Sequence, residues 1–259
     1  MSKVRFLLLS FLLAVLASCG TVKETPKQTE QETQKPTAAV EEDLLSGKTV
    51  LSLQKMQISS DYKMVSVKGG TFMMGANGDN QKEMKVKDFY IGESEVTQAL
   101  WEEIMGNNPS HFKGEDLPVE NVSWEDCQEF IQKLNAKTGQ KFRLPTEAEW
   151  EFAAQGGNKT HNFSLSGSNT ADDVAWFCDN SEVKTHPVKQ KSANEIGLYD
   201  MSGNVWEWCR TTDGSNDNTG VLCGGSWYNS PSFCNITKRY ERDANYRGNG
   251  SGLRLVLDL

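Results

Sequence analysis

Histidine, clustered basic residues and long apolar runs are all scarce in this 259-residue chain. Each scarcity removes a class of function. The three histidines, His111, His161 and His186, are too scattered for a histidine-rich metal centre. The formal net charge is −8 and no basic patch interrupts it, which argues against a nucleic-acid partner. After the apolar run Phe6–Ala17 no second long run follows, so the rest of the chain is expected to be soluble. No tandem repeat is visible. No Ser-His-Asp or Cys-His arrangement points to nucleophilic catalysis. Past Gly157 helical periodicity is missing for the remainder of the chain.

The apolar run itself reads as a leader. Lys3 and Arg5 precede it, and it is too short for a comfortable membrane span. It ends in Leu16-Ala17-Ser18-Cys19. Small residues before a cysteine resemble the bacterial lipobox, in which the cysteine is diacylated and heads the mature chain. The expectation is a lipoprotein signal peptide over 1–18 with lipidation at Cys19; the plainer alternative is a secretory signal with an incidental cysteine. Residues 19–48 are rich in Thr, Gln, Glu, Lys and Pro and lack aromatics. Such a segment buries too little apolar surface to offset its ordering entropy, so it reads as a disordered tether. The protein is therefore expected in the bacterial cell envelope, exported and held to a membrane by its lipid. The globular domain spans 49–259, long enough for a substantial core.

Five cysteines follow Cys19, an odd number with no zinc-like spacing. Val65–Gly75 reads as strand, glycine turn, strand, and Phe89–Glu95 as a further strand. Thr97 caps a helix over Gln98–Met105. Ser123 opens a second helix with a capping-box pattern, and Trp124, Cys127, Ile131 and Leu134 recur at helical spacing before Gly139. This places Cys127 on the apolar face as a buried free thiol. Thr146 and Glu149 form a capping box on a third helix that turns Trp150, Ala153 and Ala154 inward and stops at Gly156-Gly157. Glu147, Glu149 and Glu151 read as caps and solvated faces. The loop-rich remainder needs disulfides, metals or aromatic packing to hold it.

The densest segment is Gly197–Cys209, GLYDMSGNVWEWC, followed by GGSW at Gly224–Trp227. Asp200 starts a turn that Gly203 completes. Beyond Asn204 the chain alternates, with Val205, Glu207 and Cys209 on one face and Trp206 and Trp208 on the other. Asp200 and Glu207, with backbone carbonyls between them, can converge on a hard cation such as calcium. On pattern alone, a hairpin with a surface glutamate is the simpler reading.

Taken in order, NVSWEDCQEF, KFRLPTEAEWEFAAQGG, HPVKQKSANEIGLYDMSGNVWEWC, GGSW and GLRLVL resemble the formylglycine-generating enzyme, or sulfatase-modifying factor, domain. The resemblance covers about Val65 to Leu259. It implies an α+β, C-type-lectin-like fold with little regular secondary structure. It also implies calcium, carried here by the side chains of Asp200 and Glu207 and the carbonyls of Gly203 and Val205. A second family calcium site has no clear ligand set around Val174–Asn180 and is not carried over.

Enzymes of that family oxidise a sulfatase cysteine to formylglycine with oxygen and copper(I), which suits two soft thiolates. The two copper cysteines fall, by resemblance, on Asn229 and Cys234. One thiolate and an amide do not make that site, so copper is not expected. Cys223 can approach Cys234 as a substitute, or it can pair with Cys209 in a disulfide, leaving Cys178 and Cys234 for a second bridge or as free thiols. Ser226, Asn229 and Cys234 remain the candidate cleft residues, while Trp176, Trp206, Trp208 and Trp227 read as core. The favoured function is a non-oxidase binding or adaptor module stabilised by calcium, with a protein or glycan ligand. The alternative is a copper-dependent formylglycine-generating oxidase with a rearranged metal site.

Overall fold

A computed structural model describes residues 40–43, 48–52, 60–76, 81–211 and 219–259, all within the unit Pro36–Leu259. The leader and Cys19 lie outside the described residues. Of the stretch read as tether, Val40–Asp43 forms a strand, β1, paired antiparallel with β2 (Lys48–Ser52). Strand pairing thus reaches back into the stretch read as tether. This β-rich start was hidden because Glu41, Glu42 and Asp43 break any apolar alternation.

The larger sheet adds β3 (Lys63–Val67), β6 (Phe89–Gly92), β7 (Phe142–Arg143) and β12 (Val256–Asp258), in the order β1-β2-β3-β6-β12-β7. The last strand of the chain thus lies between β6 and β7, both far earlier in sequence, with Val256 opposite both Ile91 and Arg143. The glycine turn read at Lys68-Gly69 does separate two strands, but they do not pair with each other. β4 (Gly70–Met74) forms a two-stranded sheet with β5 (Lys82–Val86). A third sheet runs β10-β9-β8-β11, from Arg239–Asp243, Thr219–Cys223, Trp206–Cys209 and Ser251–Gly252.

The three long helices follow their sequence signals. α1 (Gln98–Met105) is capped by Thr97 and ends at Gly106 with φ 75°. α2 (Trp124–Thr138) carries the Ser123–Asp126 capping box and ends at Gly139 with φ 69°. α3 (Glu147–Ala154) carries the Thr146–Glu149 box. Each such cap is worth about 1 kcal/mol. A short helix, α4 (Ala171–Val174), interrupts the segment read as free of helix; four residues are too few to show a period. One apolar cluster gathers α1, α2 and Leu253, Leu255 and Leu257; a second packs α3 against β3–β6 and β9. Cys127 is buried and free, as its place on the apolar face of α2 predicts.

Candidate functional site

The segment Asp200–Glu207 is a buried hub. Three of its residues take left-handed backbone, Asp200 at φ 59°, Gly203 at 82° and Asn204 at 58°. At Gly203 a Cβ would collide with the Trp176 carbonyl, so only glycine fits. Asn204 ties three segments together. Its amide donates to Glu95 Oε2 at 2.7 Å and to the His186 carbonyl, and its Oδ1 accepts from His186 N–H at 3.0 Å. Glu95 Oε1 accepts from Val205 N–H at 3.0 Å. Burial, with Asp200 and Glu207 adding repulsion, pushes the Glu95 carboxyl well above its ordinary range.

Glu207 is not the surface glutamate that strand alternation suggests; it is fully buried. Its partner is Arg254, equally buried. The Arg254 Nε donates to both Glu207 oxygens at 3.0 and 2.9 Å, and Nη2 donates to Oε1 at 2.7 Å. Trp150 Nε1 donates to Oε2 at 2.6 Å. The remaining guanidinium donors reach the carbonyls of Gly92 and Tyr199 at 2.8 and 2.7 Å. Glu151, read as part of a solvated face, is buried too, taking Gly75 N–H and Arg239.

These partners bear on the fit of a calcium ion to this arrangement. Both Glu207 oxygens face a guanidinium and an indole N–H. Asp200 Oδ2 accepts from Lys189 N–H at 2.7 Å, and only Asp200 Oδ1 is buried without a partner. Desolvation, against the Lys189 hydrogen bond, pushes Asp200 up to about 6. Calcium takes six to eight oxygens. Asp200, Gly203, Val205 and Glu207 therefore do not fit a calcium shell as they stand. Arg254 already supplies the cation that Glu207 needs.

The hub leads directly into the cleft, because Trp227 N–H donates to the Asn204 carbonyl at 2.8 Å. Gly224 and Gly225 both have positive φ, 96° and 78°, and Gly225 lies against Cys234 where a Cβ would clash. Ser226 Oγ donates to Asn229 Oδ1 at 2.6 Å, so the amide standing where the first copper thiolate is expected is already held by a neighbour. Cys234 is buried among Leu165, Val174, Ala175 and Phe177, and burial pushes its thiol up to about 12. Cys223 packs in a different cluster, beside Cys209. The Cys223–Cys234 substitute site is thus not assembled. Cys209 and Cys223 are neighbours as the disulfide reading requires, but both are free thiols. In the ladder Glu207 faces Cys223 and Cys209 faces Val221, so the two cysteines are diagonal, not opposite. Cys178 is exposed, and its thiol donates to Asp179 at 3.0 Å.

Above Asn229 opens a cup of about 200 Å³ with an aromatic wall formed by Trp206, Phe233, Tyr240 and Tyr246. Trp206 is core by burial but also lends the cup a ring face. Tyr240 and Arg242 on the exposed strand β10, and Tyr246 in the loop after it, carried no sequence signal. A larger groove of about 610 Å³ opens beside β4, lined by Phe72, Asn158, Phe163 and Asn235, and holds none of the cleft or hub residues. No helix among the described residues is long and apolar enough to cross a membrane.

Relatives bear on this geometry. The chain is 37% identical over 247 residues to "Chaperone protein LppX" of Paenibacillus barcinonensis, covering 74% of this chain and 88% of that protein. It is 33% identical to the "Formylglycine-generating enzyme" of Streptomyces coelicolor, over 61% of this chain and 57% of the relative. It is 34% identical to the "Inactive C-alpha-formylglycine-generating enzyme 2" of Bos taurus, over 51% of this chain and 46% of the relative. The chain thus spans about half the length of those last two relatives. Among solved structures, "Treponema denticola variable protein 1" superposes with a TM-score of 0.72 at 32% identity, covering 78% of this chain and 96% of that one. The fold is α+β, of the formylglycine-generating-enzyme-like, C-type-lectin-like kind. With the hub, the GGSW turn and residues 51–259 all matching, the chain belongs to the sulfatase-modifying factor enzyme 1-like domain family.

Proposed function

We propose that this chain is a non-oxidase member of its family, a lipid-anchored binding or adaptor module of the bacterial cell envelope. Its ligand, a protein or a glycan, docks at the cleft beside Asn229. The single observation carrying this reading is the state of the two positions where copper thiolates are expected. Asn229 is held by Ser226 at 2.6 Å, and Cys234 is buried with its thiol pushed up to about 12. A thiol of that kind is protonated at neutral pH and shielded, the opposite of a copper(I) ligand. The names of two relatives, a chaperone and an inactive enzyme, support a non-catalytic use of the fold. The envelope assignment rests on the leader and Cys19.

The test is copper-dependent oxygen consumption with a peptide bearing Cys-x-Pro-x-Arg. No turnover is expected, and Cu(I) affinity should match that of Cys234→Ala. Turnover that disappears in Cys234→Ala would establish the oxidase instead. Metabolic labelling with a palmitate analogue should mark the wild-type chain and not Cys19→Ala; an unlabelled wild type would remove the anchor.

A further inference from the structure

We propose that the aromatic cup recognises a carboxylate presented by an acidic side chain of a protein partner. The inference rests on the reading of the chain as a binding module and names what the module binds. Besides the tyrosines, three polar side chains line the cup, Arg242, Ser251 and Asn229, and each keeps donor capacity unused. The Arg242 guanidinium lies over two rings, 5.2 Å from the Tyr240 centroid and 5.6 Å from that of Tyr246. Among the described residues its one hydrogen bond runs from Nη1 to its own neighbour, the Glu241 carbonyl. Among the described residues no carboxylate pairs with it. Ser251 Oγ is buried, lines the cup and has no partner at all. Asn229 has its Oδ1 fixed by Ser226, which leaves its NH₂ as the uncommitted end.

A buried hydroxyl without a partner costs about 1–3 kcal/mol, so an orphan retained in a cavity wall points to an absent acceptor. A guanidinium held over aromatic rings can still form paired hydrogen bonds with carboxylate oxygens. Among the described residues no Asp or Glu lines the cup. The site is therefore cationic and donor-rich, with an apolar wall built from rings that pack edge-to-face, Trp206 against Tyr240 at 5.4 Å, and stacked, Phe233 against Tyr240 at 6.1 Å. An acidic side chain matches both halves, its methylenes on the rings and its oxygens on the donors. The volume, about 200 Å³, suits one side chain and is too small for a chain of sugar rings.

The test uses the full-length protein and N-acetyl-glutamate methylamide, followed by amide and side-chain NMR shifts. The Arg242, Ser251 and Asn229 signals should move together. The glutamine analogue should bind roughly tenfold more weakly, the range expected for losing a charge-assisted hydrogen bond. Arg242→Gln, on an exposed edge strand, should keep its melting temperature and lose about the same factor. Ser251→Ala should weaken binding without abolishing it. Equal binding of the glutamate and glutamine analogues, or unchanged binding by Arg242→Gln, overturns the proposal. So does glucuronate binding more tightly than the glutamate analogue, which would make the ligand a uronic acid, and so does an absence of shifts in the cup. None of these results involves copper turnover, so the proposal can fail while the non-oxidase reading stands.

Discussion

Replacing Glu207 by glutamine keeps its shape and removes its charge, leaving Arg254 buried without its principal counter-ion. Three guanidinium contacts to Glu207 are shorter than or equal to 3.0 Å, and the side chains are 0% and 1% exposed. Breaking a buried pair by removing one partner costs about 3–5 kcal/mol. Glu95 and Asp200 lie in the field of Arg254 and soften the loss, while the Gly92 and Tyr199 carbonyls still hold two of its donors. The lower half of the range is therefore expected, roughly 3–4 kcal/mol. With a urea slope of about 2 kcal/mol/M, the unfolding midpoint should fall by about 1.5–2 M. Fluorescence-monitored urea titration reads this directly, because Trp150 donates to the same carboxylate. Repeating it with a calcium chelator separates the two roles open to Glu207. If Arg254 is its cation, the chelator leaves both midpoints unchanged. If Glu207 ligates calcium, the chelator destabilises the wild type and has no effect on Glu207→Gln. A midpoint shift below about 0.5 M would refute the reasoning outright.

Asp200 has a native pKa of about 6 against an ordinary 3.8, so the folded state holds its proton more tightly than the unfolded state. Stability should then fall as pH rises from about 4 to 6, by about 3 kcal/mol at 1.36 kcal/mol per pKa unit. Asp200→Asn should remove that slope from the difference between the two pH profiles; parallel profiles would contradict it. Gly203→Ala, at φ 82° and against the Trp176 carbonyl, should lose more than about 1 kcal/mol in the same urea assay. A neutral result would mean the turn can relax. Native alkylation should modify Cys178 and spare Cys127, Cys209, Cys223 and Cys234, with all five reacting once the chain is denatured. Two thiols that stay unreactive in denaturant without reductant would reveal a Cys209–Cys223 disulfide.

What could be read in advance depended on whether an interaction is local in sequence. The three helices were legible because their caps are written within four residues: Thr97 before Leu100, Ser123 with Asp126, Thr146 with Glu149. The expectation about the copper positions was equally local, since Asn229 and Cys234 stand five residues apart. The hub's electrostatics were not. Glu207 meets Arg254 across 47 residues and Trp150 across 57, and Asn204 reaches Glu95 across 109. Alternation assigns Glu207 a face but cannot say that the face is covered. One local clue did exist. Arg254 stands alone within the apolar run Leu253–Leu257, and a single charge inside such a run must be neutralised if the run is core. The one carboxylate in an equally apolar strand is Glu207, between Trp206 and Trp208. Pairing the two from that logic demotes the calcium reading from the sequence alone, because a glutamate held by a buried guanidinium has little left to offer a second cation. The same logic applied to the cup runs the other way. Arg242 lies over two rings with no carboxylate paired to it among the described residues and Ser251 is buried but unbonded, so on the proposed reading the charge balance that the hub achieves internally is, at the cup, left for a partner to complete.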